Sequence, residues 1–369
     1  MNDYKLSNGS SVILDLIRGV SAQVVVVGHC LSYFGIFTFL HEPNFPWMQN
    51  VAVLIFFLLS GFLITYSASR KLSRSDYNFK HFFVDRFSRI YTAFVPALIL
   101  VLLIDAISIK YGPDSYSFYD SFDIRTFVGN LFMLQDFPSP GPFKTWAFES
   151  FGSARPFWTL AIEWWIYLWF GFIVFVIVKM KKISPVSLVI LSFLSIVPFY
   201  NLIMGRGNGL TAYWLFGAAI YILDRQKILS HLSKKIKATI LYSALLLGFL
   251  RAYLVMEAYD PIFAFLLALA MWLSIDLFRD FDFKEKVEKV IRYNASYSYT
   301  LYLVHYSIID FSFHHIYKQY IFNPYLMLII CFLIANLISI MIGRYTEIQL
   351  TKDVKRRMYD YISRKSASQ

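Results

Sequence analysis

The feature that most limits what this chain can become is a succession of long apolar runs. They fall at about 12–37, 48–67, 90–109, 157–178, 186–204, 210–223, 238–256, 261–278, 293–315 and 324–343, and most approach the ~20 residues a helix needs to cross a bilayer. Hydrocarbon offers no partner for a backbone N–H or C=O, so runs of this length are predicted to satisfy their own backbone as helices. Composition agrees: 57% of the 369 residues are hydrophobic, 16% are charged and the mean hydropathy is +0.52, well outside the range of an ordinary soluble domain. The expected fold is all-α, a polytopic integral membrane protein of about ten transmembrane helices. The run at 210–223 is the shortest and the weakest of these signals.

Charge placement turns the runs into a topology. With ten spans the loops alternate between two sides, and about 27 of the 35 Lys and Arg residues fall on one of them. That side takes the stretches around 70–89, 179–182, 225–237, 279–292 and 344–365, while Lys110, Arg125, Lys144, Arg155, Arg206, Arg251 and Lys318 lie toward the other. Basic loops face the cytoplasm, so both termini are expected there. The net charge of +11 is thereby accounted for by a lipid bilayer, and nucleic acid is not an expected partner.

The opening residues Met1–Ser11 are polar with a single Lys5 and lack the basic-then-apolar order of a cleaved leader, so the first run is expected to stay in place. No internal repeat or low-complexity tract divides the chain, and 1–369 is expected to be a single transmembrane domain. It carries an outer loop at 110–156 and a basic cytoplasmic tail at 344–369. Within that loop the apolar piece 127–134 is too short to cross. Cys30 and Cys331 sit inside apolar runs without the spacing of a metal or redox motif and are expected to be packing residues; no metal is expected.

Ionisable side chains inside spans are costly, and they are the first candidates for function. The first run holds Arg18 and His29, separated by eleven positions, which at 100° per residue returns to within about 20° of the same face, roughly 16 Å along. A permanent cation toward one end and an imidazole toward the other suit a long anionic donor lying along the helix. The plainer reading is an arginine that snorkels and a histidine bonded in a core. Asp15, one turn before Arg18, is expected to pair with it.

Further motifs follow in order. Phe57-Leu58-Leu59-Ser60-Gly61-Phe62-Leu63 lies in the second run, and the basic loop after it ends Asp85-Arg86-Phe87-Ser88-Arg89-Ile90. Phe157-Trp158-Thr159-Leu160-Ala161-Ile162-Glu163 opens the fourth, and Ser298-Tyr299-Thr300-Leu301-Tyr302-Leu303-Val304-His305 lies in the ninth. Each is weak alone; as an ordered set on expected spans they resemble the acyltransferase-3 family, membrane-bound O-acyltransferases of bacterial surface carbohydrates and related acceptors.

The resemblance implies roles. The family's Arg-x10-His pattern falls on Arg18 and His29, its Arg-x-x-Arg element on Arg86 and Arg89, and its central catalytic role on His29. Its Ser-Gly-Phe-Leu stretch matches Ser60 to Leu63, its glutamate matches Glu163, and its Ser-Tyr…His stretch matches Ser298, Tyr299 and His305. Proline waits until Pro96 instead of following Ile90 closely, and Trp164 stands where a second carboxylate is common. The resemblance is to a stand-alone member, with no esterase-like domain expected after the last run.

The implied activity is transfer of an acyl group, most simply acetyl, from cytoplasmic acetyl-CoA as co-substrate to a hydroxyl of an extracytoplasmic acceptor, a carbohydrate by resemblance, in the cytoplasmic membrane. Arg18, Arg86 and Arg89 would hold the donor, guanidinium forks being suited to phosphates, although Arg86 and Arg89 are equally placed to be ordinary positive-inside residues. His29 would act as base or as acyl relay. Glu163 would orient it, or would instead make a structural bond to Tyr302 or to backbone. His305 is a second candidate base, and Asp15, Ser60, Ser298 and Tyr302 would support the site. The alternative is an exporter of a sugar or lipid-linked sugar with Arg18, His29 and Glu163 along its path, but the paired broken repeats of such proteins are not evident.

Overall fold

The computed structural model describes residues 4–40, 42–138, 148–320 and 323–367. Lys144 in the outer connection and residues 368 and 369 of the tail lie outside them. Among the described residues the regular structure is helical, apart from one isolated bridge between Gln135 and Phe148. In chain order the helices are α1 (Asn8–Phe34), α2 (Met48–Leu72), α3 (Phe79–Tyr111), α4 (Ile124–Leu131), α5 (Phe157–Phe172) and α6 (Pro185–Ile203). They continue as α7 (Leu210–Arg225), α8 (Lys234–Val255), α9 (Pro261–Leu277), α10 (Glu285–Ser296), α11 (Ser298–Ser312), α12 (Lys318–Tyr320), α13 (Pro324–Gly343) and α14 (Thr351–Ala367).

Seven of these are long and apolar enough to cross a membrane: α1, α2, α3, α5 with its π-helical extension to Val178, α6, α8 and the helix beginning at Pro324. The other three expected runs also lie in helices: α7 of 16 residues and α9 of 17, at the lower limit for a bilayer crossing, and α11 of 15, which continues through a π-helical stretch at Phe313–Tyr317 into α12. The protein is thus all-helical and multi-pass. The apolar piece within 110–156 is the eight-residue α4, capped by Asp123, which accepts from the Thr126 N–H at 2.9 Å.

Two helices are longer than hydrocarbon requires. At 33 residues α3 measures about 50 Å against a core of about 30 Å. Its extra turns begin at an Asn78 cap reinforced by His81 and hold Asp85, Arg86 and Arg89. The closing helix runs on for 41 residues from Pro324 to Arg364 through a π-helical stretch at Arg344–Leu350, and its α14 portion packs against α3. At this basic end a buried carboxylate organises the overhang. Asp85 receives Lys71, Lys355 at 2.7 Å, the Tyr77 hydroxyl at 2.7 Å and the Tyr359 hydroxyl at 3.1 Å. Burial, with the charge of Asp85 second, pushes the Tyr77 phenol well above its ordinary pKa, so it remains a donor.

The chain falls into two compact units, Met1–Arg70 with Asn201–Ala295, and Lys71–Tyr200 with Ser296–Gln369. In the first, α9 packs against α1, α7 and α8. There α2 and α7 touch backbone to backbone: a Cβ on Gly61 would sit 1.8 Å from the Trp214 carbonyl oxygen, and one on Gly217 2.0 Å from that of Leu58. In the second, α11 packs against α3 and α13, and α5 against α3.

Gly61→Ala is therefore expected to destabilise the first unit by about 1–3 kcal/mol through overpacking. Thermal unfolding in detergent reads this, with lipid-exposed Leu246→Ala as control; an unshifted midpoint would mean that α2 and α7 are not this close.

Candidate active site

In the first unit α1 carries both Arg18 and His29 on one uninterrupted helix, capped at its start by the Ser7 hydroxyl, which accepts from Ser10 N at 3.1 Å, and closed by Gly35 at φ 62°. Arg18 pairs with Asp15 at 2.7 Å, as the i,i+3 spacing predicts. The other oxygen of Asp15 accepts from Arg292 of α10 at 2.9 Å, and Arg292 in turn holds Glu288 at 2.8 Å. Asp15 therefore bridges two guanidinium groups. α10 lies close to this part of α1: a Cβ on Gly19 would meet the Asn294 amide at 2.7 Å, and Gln23 donates to Asn294 at 2.8 Å.

His29 is half-buried in the last two turns of α1. Beside it, a Cβ on Gly28 would lie 2.6 Å from Oε1 of Gln49, a buried residue of α2. That oxygen has no hydrogen-bond partner among the described residues. A half-buried imidazole can take up a proton from a hydroxyl that reaches it. Ser60 accepts from the Trp214 indole N–H at 3.0 Å, so the Ser-Gly motif joins α2 to α7 through one hydrogen bond and one close backbone contact.

In the second unit the two arginines of the Arg-x-x-Arg element have different surroundings. Arg89 pairs with Glu347 at 3.1 Å and also donates to its carbonyl at 3.4 Å. Glu347 has a fully buried side chain, and its Oε1 accepts both the N–H and the hydroxyl of Thr300 at 2.8 Å, in the first turn of α11. A helix N-terminus, two hydrogen bonds and an arginine together make a buried carboxylate tenable. Arg86 has no carboxylate partner among the described residues. Its guanidinium carbon lies 5.7 Å from the centre of the Phe82 ring, and its Nε is buried without a hydrogen-bond partner.

Glu163 sits on α5, where Oε1 accepts from the Tyr167 hydroxyl one turn on at 2.5 Å. Tyr302 meets Thr159 at 2.6 Å and reaches the Pro156 carbonyl at 3.5 Å. Trp164 packs edge-on against Phe83, Phe87 and Tyr91 of α3 and forms an aromatic wall with them. Ser298 is buried, and His305 is buried completely with Nδ1 at 3.1 Å from the Leu301 carbonyl, the contact a helix-core histidine makes.

Farther along α3 a second polar seam is satisfied internally. Asp105 accepts from Ser153 N at 2.8 Å, Ser153 Oγ at 2.6 Å and the Tyr116 hydroxyl at 2.9 Å, and His315 lies 2.6 Å from Ser108. Gly152, at φ 50°, is needed there, since a Cβ would lie 2.0 Å from Asp105.

Sequence reasoning passed over Glu347 and Gln49, and it named Tyr299 only as part of the Ser-Tyr…His stretch without giving it a role. Glu347 did leave a signal, being the only acid between Asp310 and Asp353. Gln49 left none, its burial depending on α1.

These features define a multi-pass helical membrane protein with cations and an imidazole set among its spans. The chain belongs to the acyltransferase-3 family, whose model, described as an acyltransferase domain, matches residues 12–344. It is also similar to "Protein 2 in picA locus" of Rhizobium radiobacter, 34% identical over 90 residues, which is 24% of this chain and 43% of that protein. The match thus spans less than half the length of that relative. No solved structure matches.

Glu347→Ala is expected to cost about 1–3 kcal/mol of stability, since it strips Arg89 and the first turn of α11 of their acceptor together. Unfolding midpoints in detergent test this; an unchanged midpoint would exclude the buried ion pair.

Proposed function

We propose that the protein moves an acyl group, acetyl in the simplest case, from cytoplasmic acyl-CoA to a hydroxyl of an extracytoplasmic acceptor, a carbohydrate. It does so as a ten-span protein of the cytoplasmic membrane with its termini and basic loops inside. Two considerations support this beyond the family itself. With ten spans the basic loops concentrate on one side, which supports entry of a polyanionic donor from that side. Arg86, a guanidinium without a carboxylate partner among the described residues, stands in the basic overhang where phosphates would arrive.

The observation that carries the reading is the placement of Arg18 and His29 on one face of α1, roughly 16 Å apart. In the reaction the His29 imidazole accepts the proton of the acceptor hydroxyl as its oxygen attacks the thioester carbonyl. The C–S bond breaks, an ester forms, and the proton passes to the departing thiolate, so CoA leaves as the thiol. The same imidazole serves if the acyl group rests first on histidine and is then passed to the hydroxyl. Arg18, steadied by Asp15, contacts the donor along its length, and Arg86 holds its phosphates. Arg89 contributes mainly by fixing Glu347 and with it the start of α11.

Purified protein incubated with labelled acetyl-CoA and candidate glycans should form labelled ester. His29→Ala is expected to lower this transfer by about 10²–10⁴-fold with normal membrane insertion; full activity would remove the imidazole from the reaction. Arg86→Ala should raise the KM for acetyl-CoA by about tenfold with little change in kcat, as loss of a ground-state phosphate contact requires. An unchanged KM would place the phosphates elsewhere.

A further inference from the structure

Tyr299, in the first turn of α11, is a residue that folding alone leaves unexplained. Its hydroxyl oxygen is buried and has no hydrogen-bond partner among the described residues. A buried phenol normally finds a partner, because leaving its donor unmade forfeits the bond it had with water. The groups within electrostatic reach are Glu163, Arg89, Tyr167 and Glu347. None of the acceptors among them takes the phenol: Glu163 accepts from the Tyr167 hydroxyl at 2.5 Å, Glu347 Oε1 accepts from Thr300, and Glu347 Oε2 faces Arg89 at 3.1 Å without a hydrogen bond. Arg89, 5.9 Å from the centre of the Tyr299 ring, can only donate. The phenol O–H is thus a spare donor held in place by neighbours that do not use it.

The charges around it indicate what the missing acceptor is. Arg89 is neutralised by Glu347, and Glu163 adds a further carboxylate. A phosphate placed there would meet a local balance that is negative. A neutral carbonyl would not be repelled, and its oxygen would complete the phenol. Arg86, on the same face of α3 one turn before Arg89 and lacking a carboxylate partner, is the group suited to phosphate. Acyl-CoA presents both chemistries in one molecule, phosphates at the nucleotide end and a neutral arm with two amide carbonyls between them and the thioester.

We propose that the Tyr299 hydroxyl donates a hydrogen bond to an amide carbonyl of the pantetheine arm of bound acyl-CoA, as a substrate-contacting residue distinct from the phosphate contact at Arg86. This rests on acyl-CoA being the donor.

The test compares Tyr299→Phe and Arg86→Ala using acetyl-CoA and S-acetylpantetheine, which keeps the arm and the thioester but has no phosphates or nucleotide. Each is measured as a donor and, through Ki, as a competitor of the other. Tyr299→Phe should lower apparent affinity about tenfold for both compounds, with kcat changed much less. Arg86→Ala should lower it for acetyl-CoA alone. Because the lost hydroxyl has no protein partner, the unfolding midpoint of Tyr299→Phe should lie at or above wild type.

Wild-type affinity of Tyr299→Phe for S-acetylpantetheine would overturn the inference, as would a lowered midpoint with unchanged affinities. A loss confined to acetyl-CoA would move Tyr299 to the phosphates and overturn it as well. If the wild-type protein neither binds nor uses acetyl-CoA, the assignment of donor fails first and this falls with it.

Discussion

Charges set among apolar helices must be answered locally, and that requirement arranges most of what surrounds the site. An uncompensated ion in such surroundings costs several kcal/mol, more than a single helix contact returns. Asp15 is answered by Arg18 and Arg292, Asp85 by two lysines and two tyrosines, and Glu347 by Arg89 and the start of α11. In each case one carboxylate collects donors from elements remote in sequence, so the ion pairs act as joints between helices. Arg86 Nε and the Tyr299 hydroxyl are among the buried polar atoms that this matching does not reach.

The joints also fix directions. Glu347 occupies a π-helical stretch of the closing helix, where the widened turn re-aims side chains relative to the regular α13 before it. Its two oxygens point one way to Arg89 and the other to Thr300, which ties α3 to α11. Gly343, one helical turn earlier, lies close enough that a Cβ would sit 2.9 Å from the Thr300 hydroxyl oxygen, so the same contact is shaped sterically and electrostatically. Positioning a guanidinium by such a joint removes the rotamer freedom that a solvated arginine would lose on meeting its ligand.

The all-helical, membrane-crossing character was legible because apolar length alone determines it, and every expected run lies in a helix. The number of crossings was less so: α7 and α9, at 16 and 17 residues, sit at the lower edge of a bilayer crossing, and the run at 293–315 is divided between α10 and α11. The basic overhang of α3 was illegible for the opposite reason. Its first turns mix phenylalanines with lysine and arginine, which reads as a loop until α14 supplies a surface for them to pack on. Among site residues, pairs within one helix were open to inference. Asp15 with Arg18 was found from its spacing, and Glu163 with Tyr167, four residues apart, had a spacing that reveals it once looked for. Arg292, Glu347 and Gln49 depend on which helices become neighbours, and spacing along the chain carries no trace of that.

The Arg-x-x-Arg element shows why a motif assigned as a unit need not act as one. Two arginines three residues apart share a helix face and look interchangeable, but a guanidinium that already faces a carboxylate has little net charge to offer an incoming anion. Arg89 is in that position and Arg86 is not. The pair therefore separates into a cation that holds Glu347 at the start of α11 and a cation without a carboxylate partner among the described residues, and the ring of Tyr299 lies beside the first. A long donor whose ends differ in charge would read such a surface in order, phosphates against the available cation and the uncharged arm against the neutralised one. Recognition of that kind depends less on the number of basic residues than on which of them the protein has already neutralised.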